Sequence, residues 1–176
     1  KNPNYSVVAK RVKRSEGSFF QFLYLMHKII TYIFTGKKIN FGNYTCLTKK
    51  DAEIISSQPS LWSSYSGTVK KNLSNLLEIN SIRGMRYFGP SKMSLFKLII
   101  HSLSIIAVFK FHVFLRSIFI ILLLFLLISY LGIFTLAITT LLLIFNFIIL
   151  TVSFREQRED LFNSQENLEN ITNISH

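Results

Sequence analysis

Basic side chains are the groups in this sequence best suited to chemistry, and the chemistry they suit is phosphate binding. Lys10, Arg11, Lys13 and Arg14 form a cluster near the start of the chain. Such a cluster can neutralise phosphate groups on a lipid or a nucleotide. Solvated or lipid-facing side chains are an equally good interpretation of the same cluster.

Groups that could hold a metal or attack a carbonyl are sparse. The four histidines have no ligand-like spacing with each other or with Cys46, and the sequence contains no P-loop and no Gly-X-Ser-X-Gly motif. Asp51 and Asp160 are the only aspartates, so the Asp-X-Asp that usually holds a divalent cation on a nucleotide-sugar diphosphate is missing. We expect no metal site made by the side chains of this chain alone.

The net charge of +11 is concentrated in the first two thirds of the chain. Residues 1–116 carry 18 Lys and Arg against four acids, whereas residues 155–176 carry two basic residues against five acids. A basic domain is also typical of nucleic-acid binding, but the aromatic residues here are mixed with aliphatic ones in apolar helices. We therefore expect membrane lipid, and no nucleic acid, as the acidic partner. The lone Cys46 excludes an intramolecular disulfide framework.

Residues 117–154 form a run of 38 residues without a charged side chain or a histidine. One straight helix of that length would be about 57 Å long, and the hydrocarbon core is about 30 Å thick. The run predicts two transmembrane helices, at about 113–131 and 134–153, with a turn near Gly132. Basic residues flank both outer ends, so the positive-inside rule places both termini in the cytoplasm. The expected protein is an integral membrane protein.

A basic amphipathic helix is predicted over 92–116, leading almost directly into the first span. Such a helix is typical of a segment that lies in the headgroup region. A third membrane span over 98–115 is the alternative. The side chains predicted at the membrane interface are Lys97, His101, Lys110 and Arg116.

The part before this helix has a mixed strand and helix pattern. Strands are predicted at 5–12, within 40–47 and at 76–88; helices are predicted from Ser15 or Ser18 to Gly36, from Thr48 onward, and at about 60–72. The helix that ends at Gly36 is apolar around nearly its whole circumference. It is either a core helix of a larger domain or a helix on the membrane surface. Lys70 and Lys71 are expected to face solvent.

Three motifs in this order resemble family 2 glycosyltransferases that act on polyprenyl phosphate. The motifs are Arg11 to Gly17, Phe41-Gly42-Asn43-Tyr44 with Leu47 and Lys49-Lys50, and Arg86-Tyr87-Phe88-Gly89-Pro90-Ser91-Lys92 with Leu95 and Lys97-Leu98. The family includes dolichyl-phosphate mannose synthase and bacterial undecaprenyl-phosphate glucosyltransferases. The resemblance covers about residues 5–153 and corresponds to the C-terminal half of such enzymes.

The resemblance implies roles for particular residues. Asn43 and Tyr44 would lie at the catalytic site, and the phosphate-binding residues would be Arg86, Lys92, Arg11 and Arg14. Asn43 stands where the family usually has Asp, Thr45 where it has Arg, and Met93 where it often has Tyr. An Asn cannot act as a base, but the attacking phosphate oxygen is already an anion, so positioning and charge neutralisation could suffice.

These expectations combine into one fold and one function. The fold is α/β, the C-terminal remnant of a Rossmann-like GT-A domain (1–91), followed by an amphipathic interfacial helix (92–112), a two-helix transmembrane hairpin (113–154) and an acidic cytoplasmic tail (155–176). The resemblance implies a sugar transfer from a nucleotide sugar to a polyprenyl phosphate at a bacterial inner membrane. It also implies that the full-length enzyme uses Mg²⁺ or Mn²⁺, held by ligands outside this chain, and that this chain alone is inactive. A non-catalytic hairpin protein, such as a scaffold or a small transport subunit, is the alternative, and a homo-oligomer stays open.

Overall fold

The computed structural model describes residues 5–13, 18–82 and 94–156 and the single residue 163, with only the backbone described at Arg11 and Lys13. The described chain is a mixed α/β structure with a three-stranded sheet. Its strands are β1 (Ser6–Lys13), β2 (Phe41–Cys46) and β3 (Leu76–Ile82). Its helices are α1 (Ser18–Thr35), α2 (Lys49–Ser56), a 3₁₀-helix (Pro59–Trp62), α3 (Tyr65–Asn72), α4 (Leu95–Ala107), α5 (Lys110–Leu126), α6 (Ile128–Leu131) and α7 (Ile133–Ser153).

The sheet has the order β2-β1-β3, with β1 antiparallel to β2 and parallel to β3. One face carries a small core against α2 and α3, formed by Val8, Phe41, Ile55, Val69 and Leu73. On the other face, β3 leaves the large side chains of Leu77 and Ile79 exposed. Exposed apolar residues on a strand paired in parallel are unusual, because parallel sheets are normally covered on both faces.

Local capping explains where several helices begin. Thr48 accepts a hydrogen bond from the backbone N–H of Asp51, as its predicted cap role requires, at 3.2 Å. The predicted helix at 60–72 is divided, because Ser64 caps α3 anew after the 3₁₀-helix. Ser94 caps α4. From the sequence we expected Ser91, after Gly89-Pro90, to cap this helix, and Ser91 lies outside the described residues.

A sharp elbow separates α4 from α5. The helix predicted through residue 116 ends instead at Ala107, and α5 starts at Lys110 in a direction bent by 87°. A straight span over 98–115 is therefore excluded. The elbow is buried, with Val108 and Phe109 packed against Ile39 and Ile105.

Helices α5 and α7 pack side by side in opposite directions. Near the start of α5, Lys110 meets Glu156 beyond the end of α7, and further along Ser117 accepts a hydrogen bond from Asn146. The buried positions Thr135, Leu142 and Ile149 of α7 recur every seven residues, as in helix pairs with a single contact seam.

Only α7, among the described helices, is by itself long and apolar enough to cross a membrane, with a mean hydropathy of 2.6. Only 11% of its most apolar 18-residue stretch is buried inside the structure, whereas the core helix of a soluble domain is mostly buried. Helices α4 and α5 meet the same test only when taken together as a bent pair.

Helix α1 packs through its C-terminal half onto α5 and α7. Ile30 and Phe34 join a core with Val113 and Ile149, and the rings of Phe34 and Phe145 are 4.6 Å apart. The N-terminal half of α1 leaves large side chains exposed, including Phe19, Phe20, Phe22 and Leu25. Within the described chain, this half of α1 is not a core helix.

Candidate functional site

The predicted catalytic residues Asn43 and Tyr44 lie on a β-bulge. Val8 pairs with Thr45 and Lys10 pairs with Phe41. The single residue between these two positions of β1 therefore lies opposite three residues of β2. The two extra residues belong to the segment from Gly42 to Tyr44. Bulges of this kind redirect side chains and are frequent beside active sites. Asn43 is exposed, and the side chain of Tyr44 is 76% exposed.

Both sides of the bulge are anchored to the domain. Phe41 enters the sheet core before it, and after it the hydroxyl of Thr45 is hydrogen-bonded to the hydroxyl of Tyr65 on α3. Thr45 stands where the resemblance leads us to expect an Arg, and its side chain here binds α3. The residues on both sides of the bulge are therefore held by the domain, while the bulge itself is exposed to solvent.

The basic end of β1 lies beside the end of β3. Lys10 forms an ion pair with Glu78 at 3.0 Å, and the hydroxyl of Ser81 donates to the carbonyl of Lys10. The backbone of Arg11 pairs with Ser81, and the register then shifts before Lys13. The side chain of Lys10 is thus engaged with the neighbouring strand.

Several predicted phosphate-binding residues cannot be placed. Arg14, Arg86 and Lys92 lie outside the described residues, and Arg11 is described only by its backbone. Their predicted roles stay predictions.

Asp51 belongs to a structural network. The hydroxyl of Ser6 donates to Oδ2 of Asp51 and accepts from the backbone N–H of Thr48 at 3.0 Å. This network joins the start of β1 to the start of α2. Across residues 5–13, 18–82 and 94–156, no three His, Cys, Asp or Glu side chains come together as a group that could hold a metal ion.

The predicted interfacial residues occupy two different helices. Lys97 and His101 are exposed one turn apart on α4, whereas Lys110 and Arg116 belong to α5. Lys110 forms an ion pair with Glu156 at 2.8 Å. Arg116 donates from Nη1 to the carbonyl of Ile33, near the end of α1, also at 2.8 Å.

Helix α3 connects the sheet to the elbow. Gly67 lies so close to α4 that an added Cβ would be 3.0 Å from Cγ2 of Val108 and 3.2 Å from the carbonyl oxygen of Ile105. Nζ of Lys71 donates to the carbonyl of Val108 at 3.1 Å. We expected Lys71 to be only solvated; its contact depends on the break between α4 and α5, which no local sequence signal marks.

Comparison with known proteins adds no relative. No protein-family model, curated protein or solved structure matches this chain.

Proposed function

We propose that this chain is the C-terminal, membrane-anchored portion of a glycosyltransferase that moves a sugar from a nucleotide donor to a polyprenyl phosphate. The observation that carries the proposal is the bulge at Gly42–Tyr44, where Asn43 and Tyr44 are exposed to solvent. The proposal assigns this segment to the active-site loop of the family that the three motifs resemble. The resemblance of the three motifs and the apolar helices beside the sheet support the same function.

The reaction needs positioning more than proton transfer. An oxygen of the acceptor phosphate attacks the anomeric carbon of the sugar, the new C–O bond forms, and the bond from that carbon to the diphosphate breaks. The nucleoside diphosphate leaves with the electron pair. Asn43 would help to position the acceptor, as the Asp at this position would in the family, and Arg and Lys side chains would neutralise the charge of the phosphate.

A further part of the protein would complete the donor site. The exposed face of β3 at Leu77 and Ile79 supports additional strands and helices covering the sheet. In the proposal this additional part carries the Asp-X-Asp and the divalent cation, since the described chain offers no metal-binding group. No step of the proposed reaction depends on a metal ligand from this chain.

The membrane anchor consists of α5 with α6 as one span and α7 as the other. The 21 residues of α7 extend about 32 Å, close to the thickness of the hydrocarbon core. The elbow turns α4 by 87°, which lets α4 lie in the plane of the headgroups when α5 enters the bilayer. Both termini are then cytoplasmic, and Gly132 is on the far side.

A non-catalytic membrane scaffold is the second candidate. The ion pair of Lys10 with Glu78 and the network of Asp51 with Ser6 favour it, because both give structural roles to charged groups of the sheet. In such a protein the basic residues would only bind lipid headgroups.

Sugar transfer in the full-length protein distinguishes the two candidates. The assay follows labelled sugar onto polyprenyl phosphate in detergent, with protein levels matched. Asn43→Ala, Arg86→Ala and Lys92→Ala should each lower the rate about 10- to 150-fold, the value of a charge-assisted contact of about 1.5 to 3 kcal/mol.

The matched controls are Asn43→Asp and Lys70→Ala. Asn43→Asp should retain activity, because Asp is the family's usual residue at this position. Lys70→Ala should leave the rate unchanged, since Lys70 has no polar contact within the described residues. Equal losses in all variants, or no loss at Arg86 and Lys92, would favour the scaffold.

A further inference from the structure

A groove between α1 and α5 contains one cation and mostly apolar walls. Its volume is about 400 Å³, and it is lined by Tyr32, Ile33, Gly36, Arg116, Phe119 and Ile120. We propose that this groove binds an anionic phospholipid, with the lipid phosphate on Arg116 and an acyl chain along Phe119 and Ile120. The inference rests on the membrane placement of α5 proposed above and is independent of sugar transfer.

Among the described residues, no acidic side chain neutralises the charge of Arg116 at the groove. Arg116 uses Nη1 for the carbonyl of Ile33, and a guanidinium carries five N–H groups, so others are available to a ligand. No carboxylate of the described residues lies within ion-pair distance of Arg116. A second cation is close to the groove, because Nζ of Lys38 lies 5.4 Å from the ring centroid of Tyr32. Two cations with no acid paired to them in the described part of the chain favour an anionic ligand.

The position of Arg116 along α5 favours a lipid as the source of that anion. Arg116 is six residues beyond Lys110, which is about 9 Å along the helix. No charged residue follows it until Arg155. Phe119 and Ile120 are three and four residues further along α5, so they share its face and lie one turn deeper. A headgroup on Arg116 would place an acyl chain beside these two apolar side chains.

Gly36 leaves the space that the guanidinium of Arg116 occupies. Its φ of +70° is readily adopted by glycine, and an added Cβ would lie 2.5 Å from Nη2 of Arg116. A larger residue at this position would displace the guanidinium from the groove. The position of the Arg116 guanidinium in the groove therefore depends on Gly36.

Capping of α1 is the competing explanation for Arg116. A cation at the last carbonyls of a helix is stabilising without any ligand. Under capping alone, removing Arg116 would lower stability equally with and without anionic lipid. Under the proposal, it would also remove the stabilisation that anionic lipid supplies.

The test measures thermal unfolding of the full chain in detergent as phosphatidylglycerol is titrated in, with phosphatidylcholine and soluble glycerol phosphate in parallel. Phosphatidylglycerol should raise the Tm of the wild type and of Arg155→Gln, a matched control with an exposed arginine at the same end of the helix pair. In Arg116→Gln the half-maximal lipid concentration should rise about tenfold. Gly36→Ala should weaken the lipid effect in the same direction.

Lys38→Gln keeps the test decisive if Arg116→Gln does not fold. Lys38 is exposed, so its loss should weaken phosphatidylglycerol binding about two- to threefold without unfolding the chain. The proposal is overturned by an unchanged lipid effect in Arg116→Gln, or in Lys38→Gln where Arg116→Gln does not fold. It is also overturned if phosphatidylcholine or glycerol phosphate stabilises the wild type as well as phosphatidylglycerol does. Labelling that shows α5 outside the membrane would instead reject the placement on which the inference rests.

Discussion

Nζ of Lys110 lies 2.8 Å from Oε2 of Glu156, and this contact brings the start of α5 to the end of α7. The two residues are 46 positions apart in sequence. Their pairing places the two outer ends of the apolar helices at one level. A bilayer around these helices would therefore have both ends on the same side.

Cysteine labelling should show this arrangement directly. In a Cys46→Ser background, which removes the only native thiol, Lys97→Cys and Arg155→Cys should react with an impermeant reagent from the cytoplasmic side. Tyr130→Cys, whose parent side chain is 88% exposed near the turn, should react only from the other side. Labelling of positions 130 and 155 from the same side would contradict the hairpin.

The hydrogen bond between Asn146 and Ser117 should couple α7 to α5. Nδ2 of Asn146 is 2.8 Å from Oγ of Ser117 and also 2.8 Å from the carbonyl of Leu142. A double-mutant cycle with Asn146→Ala and Ser117→Ala should give a coupling of about 0.6 kcal/mol, up to about 1.7. The measurement is unfolding in detergent, and Thr140→Ala, whose hydroxyl bonds within α7, should show no coupling to Ser117→Ala.

Gly67→Ala should separate α3 from the elbow. The added methyl group would meet Val108 and the backbone of Ile105, so we expect a destabilisation of about 1 to 3 kcal/mol. Val108→Ala should recover part of the loss in the double variant, because it removes one of the two contacts. A fully additive loss in that double variant would mean that the crowding lies elsewhere.

Lys71→Met should weaken the elbow, while Lys70→Met should not. Lys71 donates to the carbonyl of Val108, and Lys70, its neighbour on α3, makes no polar contact among the described residues. We expect a loss of about 0.5 to 1.5 kcal/mol for Lys71→Met in chemical denaturation. Equal effects of the two substitutions would show that charge alone, and not the hydrogen bond, is responsible.

Features that depend on neighbouring residues could be predicted from sequence. Thr48 caps α2 because its hydroxyl needs only the N–H three residues later. Gly36 follows the end of α1 because its positive φ is a local preference. The length and apolarity of residues 117–154 predicted two transmembrane helices with a turn near Gly132. The structure has the junction before α7 at Gly132 and a second one between α5 and α6, and the crossing of a membrane stays a prediction.

Features that depend on distant partners were decided by the tertiary structure. Val108 and Phe109 are apolar, and neither Gly nor Pro marks the elbow, so local preference favours a continuous helix there. The bend coincides with contacts to Ile39, Gly67 and Lys71, which are far away in sequence. The bulge at Asn43 likewise depends on the pairing of β2 with β1. Two residues of β2 are in excess only when the strand is aligned with its neighbour. Sequence thus determined the elements and their caps, while long-range packing decided their register and bends, since those are set by contacts between residues that no local pattern brings together.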